Sequence, residues 1–272
     1  MRRLPAAAKL NLALVVGPQR PGGKHEVATV LQRIDLTDRV SLKPSPSLRV
    51  TGFPDDTLVE RALRMIAEVG GVEPRWEAHI EKRIPVAAGL GGGSSDAATA
   101  LRLVNETLDQ PLAIDALRSL AATLSADAAF FLAPGPQLGE GDGSALSTLD
   151  LPQDYWVVLV LPDGASKRST AAVYGAFDAR GGAEGFEERK ARLLEALDGV
   201  GRARDLAALP PNDLAASPLS ADLLRLGAFR ADVTGAGPVV YGLFQREDAA
   251  SEAARALRRR GRTWLSVPAW YF

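Results

Sequence analysis

The sequence predicts a mixed α/β protein in two domains, on three observations. Strand-like and helical stretches alternate through the first half, the run from Pro134 to Asp154 is dense in Gly, Pro, Ser and Asp, and strand and helix signals resume beyond it. At 272 residues the chain is long enough for one large domain or two ordinary ones, each with a core of its own.

In order, "LNLALVV" (10–16) and "VATVLQRI" (27–34) read as strands. A helix is expected over 57–70, with Val59, Ala62, Leu63, Ile66 and Val69 on one face, a start at Asp55-Asp56 and a stop at Gly70-Gly71. "WEAHIEK" (76–82) is a strand, and a helix follows the glycine-rich stretch because Ala97, Leu101, Val104 and Leu108 recur at helical spacing. The Gly/Pro-dense run before "YWVVLVLP" is read as a domain boundary, dividing the chain into 1–152 and 153–272. The second part has expected helices at 169–178, 187–198 and 247–259, and strands at 229–233, 238–244 and 262–268. No internal repeat or low-complexity tail is visible.

Bulk composition narrows the partners. With 32 basic against 33 acidic side chains the net charge is −1, so no global field draws the chain to nucleic acid or to an anionic membrane surface. No uncharged apolar run approaches the roughly 18 residues a membrane span needs, and Lys9 and Asn11 interrupt the first apolar stretch too early for a signal peptide. The absence of cysteine excludes disulfides, thiolate nucleophiles and zinc–thiolate sites and suits a cytoplasmic protein. His25 and His79 are the only histidines, which excludes a histidine-rich metal site. The expected partner is a small molecule, and any anionic ligand must be caught locally.

Four motifs carry possible chemistry. In "PVAAGLGGGSSDAATAL" (85–101) four glycines fall within Gly89 to Ser94, and a cluster of that kind is sensible where positive φ or close approach of another group demands it. A glycine-rich loop opening a helix offers bare N–H groups at the positive end of the macrodipole, the chemistry of a phosphate site. The alternative is a tight turn into the helix. No lysine follows as in a Walker A loop, and Ser94 stands where a dinucleotide fingerprint has its third glycine. In "AAAKLNLALVV" strand alternation sends Leu10, Leu12, Leu14 and Val16 one way and Lys9 and Asn11 the other, which is either a solvated edge face or a functional pair. In "LSADAAFFLAPG" Asp127 is a carboxylate among small and apolar residues, either the N-cap of a short helical turn or a group with a task. In "DVTGAGPVVYGLF" Gly235 and Gly237 form a turn that could be a plain β-turn.

Taken together and in this order, the segments resemble the GHMP small-molecule kinases. Members read "PAKINLFL…RPDGYHE…GLGGGSSDAAT…GADVPFF…SGSG" where this chain reads "AAAKLNLAL…RPGGKHE…GLGGGSSDAAT…SADAAFF…TGAG". The likeness runs from the N-terminus past residue 240 and is strongest to the branch that phosphorylates a cytidine diphosphate-linked polyol in the non-mevalonate isoprenoid route.

The resemblance implies an α+β fold of two domains, ribosomal protein S5 domain 2-like and then ferredoxin-like, with the site between them. It implies ATP as co-substrate, with Mg²⁺ bridging the phosphates directly; separately, a monomer or weak dimer is expected. Asp127 matches the residue that takes the hydroxyl proton, and Lys9 the one that holds Asp127 ionised and offsets developing charge. Pro85, Gly89, Leu90, Gly91, Gly92, Gly93, Ser94 and Ser95 match the phosphate loop, while Asn11, Lys24, His25, Tyr174 and Gly235 fall at substrate positions. His25 and Tyr174 match cytosine-reading positions, although Tyr174 also suits an ordinary core. Lys24 stands where the family usually has tyrosine; it can replace a stacking ring only by laying its methylenes or ammonium over the base, a platform weaker by about 1 kcal/mol. Gly23 and Ala236 are smaller departures, for the usual aspartate and serine. A kinase for another alcohol fits the "KHE" segment and triple glycine poorly, and a nucleotide sensor on the same fold has no need of both Lys9 and Asp127.

Overall fold

The computed structural model describes residues 1–53, 57–165 and 169–269. Its spine is one long antiparallel hairpin, β1 (Arg2–Gln19) and β2 (His25–Pro44). Both strands outrun the expected segments, because each supplies the other's hydrogen-bond partners after the apolar alternation has ended. The outer edge of β2 is shared end to end: β5 (Gln137–Gly141) pairs with residues 27–31 and β4 (Trp76–Glu81) with residues 39–44. β3 (Arg49–Thr51) lies parallel to β4, and β6 (Ala145–Thr148) completes the sheet beside β5.

The β5–β6 hairpin adds two strands that the sequence reading does not assign. It lies inside the Gly/Pro-dense run taken for a boundary, so most of that run belongs to the first sheet. Glycines there serve a tight turn, with Gly141 and Gly143 at φ 69° and 93°.

Helices α1 (Thr57–Val69), α2 (Gly92–Asn105), α3 (Ile114–Leu124) and α4 (Ala126–Phe130) are tied to this sheet. Leu63, Ile66, Leu101, Val104 and Phe130 pack on Leu31, Val40 and Ile80 in one core. The expected α1 start at Asp55-Asp56 lies outside the described residues.

A second sheet has the order β10-β7-β9-β8, all antiparallel, from β7 (Trp156–Pro162), β8 (Arg230–Val233), β9 (Val240–Phe244) and β10 (Gly261–Ser266). With helical segments between β7 and β8 and α8 (Glu247–Leu257) between β9 and β10, the progression is that of a ferredoxin-like βαββαβ unit. The first of those segments are α5 (Thr170–Ala179) and α6 (Phe186–Asp198); a 3-10 turn at Ala203–Ala208 and α7 (Pro218–Arg225) follow.

The two sheets share a core: Leu10, Leu12 and Val30 from the first pack with Val157, Leu159, Tyr241 and Leu243 from the second. The Tyr241 hydroxyl donates to the Leu12 carbonyl (3.1 Å), and the Asp213 carboxylate accepts from Val16 N (2.8 Å). β1 is therefore fixed from both sides.

A register shift in β1 between Asn11 and Ala13 decides what faces the cleft. Strict alternation would send Leu14 and Val16 into the core with Leu10 and Leu12. The extra residue reverses the facing: Ala13 and Val15 join Leu10 and Leu12, whereas Leu14 and Val16 pack with Val27, Val173 and Phe177 on the other side.

Candidate active site

A cleft of about 540 Å³ runs beside β1 and is lined by Lys9, Asn11, Leu14, Asp127 and Gly235 among others. Lys9 Nζ donates to Asn11 Oδ1 at 2.5 Å and lies 3.7 Å from Asp127 Oδ2. Asn11 Nδ2 donates to Thr29 Oγ1 (2.7 Å), which donates to the Ala13 carbonyl (2.8 Å). This chain fixes the amide with its oxygen toward the ammonium. The Lys9 side chain is 5% exposed and that of Asp127 37%, so a buried cation faces an accessible carboxylate.

Ser125, not Asp127, caps α4: its side chain accepts from Ala128 N. The Asp127 carboxylate is left clear of the cap and lines the cleft.

A second cavity of about 360 Å³ lies over the glycine loop, lined by Phe53, Leu58, Lys82, Pro85 to Ser94 and Thr170. Ala87, Gly89, Gly91 and Thr170 line both cavities and so form the seam between them. Gly91 (φ 70°) is the N-cap of α2, whose first turn has no side-chain cap and no acidic residue. Its leading N–H groups are thus left for an anion. Gly89 (φ 81°) is held against the late turn, since an added Cβ would lie 2.2 Å from the Thr234 carbonyl oxygen. Thr234 Oγ1 accepts from Asn11 N (3.1 Å) and donates to the Gly89 carbonyl (3.3 Å), tying β1, the glycine loop and the late turn at one buried hydroxyl. Ser95 differs from the rest of the loop. Its N–H bonds the Gly91 carbonyl (2.9 Å), and the helical rotation turns its side chain to the opposite face beside Thr99 and Arg102.

Also lining the cleft, His25 meets Asp178 Oδ1 through Nε2 at 2.8 Å, and the Tyr174 ring lies 4.7 Å from the imidazole at 37°. Burial, then the charge of Asp127, pushes the Tyr174 hydroxyl up to about 12, so it stays neutral. The Lys24 ammonium does not stand free over the cleft. It donates to Asp142 Oδ2 (2.6 Å), joining the β1–β2 turn to the β5–β6 turn. That bond, with those from Ser144, holds the Asp142 carboxyl down at about 2.

Sequence reasoning missed several of these partners. Asp178 and Asp142 carry no motif, and only the fold brings them to His25 and Lys24. Lys82 donates to Asp38 (2.5 Å) and Asp96 (2.8 Å), both fully buried, at the wall of the glycine-loop cavity. Thr234 was in view within "DVTGAG", yet nothing in that string signals its two partners.

Comparison with known proteins gives the family. Residues 57–135 match the GHMP kinases N terminal domain and residues 218–263 the GHMP kinases C terminal. A 4-diphosphocytidyl-2-C-methyl-D-erythritol kinase of Geobacter sulfurreducens is 36% identical, covering 97% of this chain and 96% of that one. The chain belongs to the GHMP kinases. This GHMP kinase is similar throughout to a crystal structure of 4-(cytidine 5'-diphospho)-2C-methyl-D-erythritol kinase, with a TM-score of 0.79, 31% identity and coverage of 98% and 99%. The Methanococcus jannaschii mevalonate kinase, at a TM-score of 0.76 and 14% identity over 98% of each chain, shares the fold. As a member of the family, this GHMP kinase is an ATP-dependent small-molecule kinase. No helix among the described residues is long and apolar enough to cross a membrane.

Proposed function

We propose that this kinase transfers the γ-phosphoryl group of ATP to the 2-hydroxyl of 4-diphosphocytidyl-2-C-methyl-D-erythritol, in the non-mevalonate route to isoprenoid precursors. The observation that carries the reading is the Lys9–Asp127 pair, in a cleft that meets the uncapped start of α2 at a shared seam. The names of the near-full-length relatives supply the substrate.

The residues fit ATP. Amides of the first turn of α2 suit its phosphates, and Phe53, Leu58 and Val86 offer an apolar wall for a base. ATP supplies the phosphoryl group, and Mg²⁺, when bound with it, would offset charge on its phosphates. The attacking hydroxyl sits between Lys9 and Asp127. As its oxygen bonds to the γ-phosphorus and the bond to the β,γ-bridging oxygen breaks, its proton passes to Asp127. With the Lys9 ammonium nearby, Asp127 acts as an orienting acceptor that takes the proton late, and Lys9 offsets charge on the transferring group. Asn11 and Gly235 line the polyol end, while His25, Lys24 and Tyr174 line the base end. We assign the divide between the two domains to 152–153 and expect a cytoplasmic monomer or weak dimer.

The test is coupled ADP release from ATP and Mg²⁺ with 4-diphosphocytidyl-methylerythritol, free methylerythritol phosphate, homoserine and mevalonate offered in parallel. Turnover with the first alone is expected. Turnover with another alcohol would overturn the substrate, and silence with all four would overturn the reaction.

A further inference from the structure

The function proposed above requires the cleft to distinguish one nucleobase from another, and His25 stands at its base end. A carboxylate oxygen only accepts hydrogen bonds, so Asp178 Oδ1 at 2.8 Å fixes the hydrogen on Nε2. When the ring carries that single hydrogen, Nδ1 is a bare acceptor. Among the described residues no hydrogen bond reaches Nδ1, while His25 itself lines the cleft.

α5 holds the imidazole on two sides. Tyr174 and Asp178 are one helical turn apart, so the same face of the helix delivers a ring against the imidazole and a carboxylate to its edge. Phe177 meets it edge-on at 6.1 Å. Both the orientation and the tautomer of His25 are therefore set from a single helix.

We propose that Asp178 is a positioning residue that sets the base preference of the cleft. By holding His25 in its Nε2–H form it presents Nδ1 to accept from an exocyclic amino group, which favours cytosine. Uracil carries a carbonyl at that position, and two lone pairs would face each other. Asp178 does this without touching the substrate. The inference rests on the cytidine reading of the site.

The test compares two substrates that differ only in the base, 4-diphosphocytidyl- and 4-diphosphouridyl-methylerythritol, with the wild type, Asp178→Ala and Asp178→Asn. The wild type is expected to favour the cytidine compound in kcat/KM by at least about 100-fold, since a site built around a specific hydrogen bond rejects the analogue that cannot make it. Asp178→Ala is expected to lose at least about tenfold of that ratio through KM for the cytidine substrate, with kcat little changed. Asp178→Asn falls between, because its Oδ1 can still accept from Nε2–H. A second measurement needs no turnover. The chain has two histidines, so ¹⁵N long-range imidazole spectra contain only His25 and His79. The wild type is expected to show His25 as Nε2–H and Asp178→Ala a mixture of tautomers, with an unmoved His79 reporting an intact fold. An unchanged selectivity ratio in a folded Asp178→Ala, or an Nδ1–H ring in the wild type, overturns the inference. A wild type that phosphorylates neither compound overturns the cytidine reading instead, and the spectra still decide the role of Asp178 on the ring.

Discussion

Lys9 Nζ stands 3.7 Å from the Asp127 carboxylate but 2.5 Å from the Asn11 amide oxygen. The first distance is too long for a hydrogen bond and the second is short, so the ammonium is anchored to its own strand and Asp127 keeps its acceptor capacity. The two groups are therefore close without being bonded to each other.

Asp127→Asn keeps the shape and removes the proton acceptor. Turnover is expected to fall by at least about 100-fold with ATP affinity nearly unchanged. Coupled ADP release and nucleotide titration calorimetry measure the two quantities separately. Unchanged turnover would remove Asp127 from its proposed role.

Gly89→Ala is expected to weaken the junction of the glycine loop and the late turn. Its Cβ would lie 2.2 Å from the Thr234 carbonyl oxygen, a backbone atom, and its φ of 81° disfavours a side chain in any case. A loss of about 1–3 kcal/mol is expected from a strained backbone of this kind, read from urea unfolding midpoints, with a larger relative loss of kcat. A variant as stable and active as the wild type would show that the loop can move away from Thr234 at no cost.

Lys82→Met leaves Asp38 and Asp96 buried without their shared ammonium. A loss of about 3–5 kcal/mol is expected, since breaking a buried pair strands its partner charges. Burial opposes the Lys82 charge, but Asp96 and Asp38 more than offset it and raise its pKa. A raised base contributes stability fully below its unfolded value, about 10.4, and loses that contribution as pH climbs through the folded value. Unfolding midpoints of wild type and variant should therefore be far apart at neutral pH and converge in strong alkali. A gap that held constant with pH would contradict this account.

Lys24→Ala releases Asp142. Its carboxyl, held down at about 2 by the Lys24 bond and then by Ser144, should titrate closer to an ordinary aspartate when followed by ¹³C carboxyl shifts. Because the folded pKa is depressed, the pair stabilises the protein above the unfolded value, about 3.9, and that contribution fades as pH falls toward 2. Wild type and variant should differ in stability near neutrality and converge in acid. A carboxyl that still titrates near 2 in Lys24→Ala would show that Ser144 alone holds it.

Much of the candidate site was legible because its residues sit in contiguous strings. The glycine run leading into α2 announced a bare helix start, which the uncapped first turn bears out geometrically. Lys9 and Asn11 shared a face as two-residue periodicity requires, and both line the cleft. Most elements with strong periodicity also fell within a residue or two of the expected bounds, α1, α6 and β4 among them. Legibility ended where a residue's partner was distant in the chain. Asp178 lies 153 residues from His25 and Asp142 118 from Lys24, and no local signal links such pairs.

The sequence by itself determined the motifs, their order and hence the family, because each motif is a short string whose backbone needs are local. Glycines supply positive φ, strand alternation pairs Lys9 with Asn11, and neither depends on the rest of the chain. Only the tertiary structure decided which groups finish the site. The β1 register shift turned Leu14 toward the cleft, the β5–β6 hairpin carried Asp142 to Lys24, and α5 brought Asp178 and Tyr174 to one imidazole. Each depends on long-range pairing of backbone edges and packing of distant apolar faces, and that pairing is fixed by the whole chain at once.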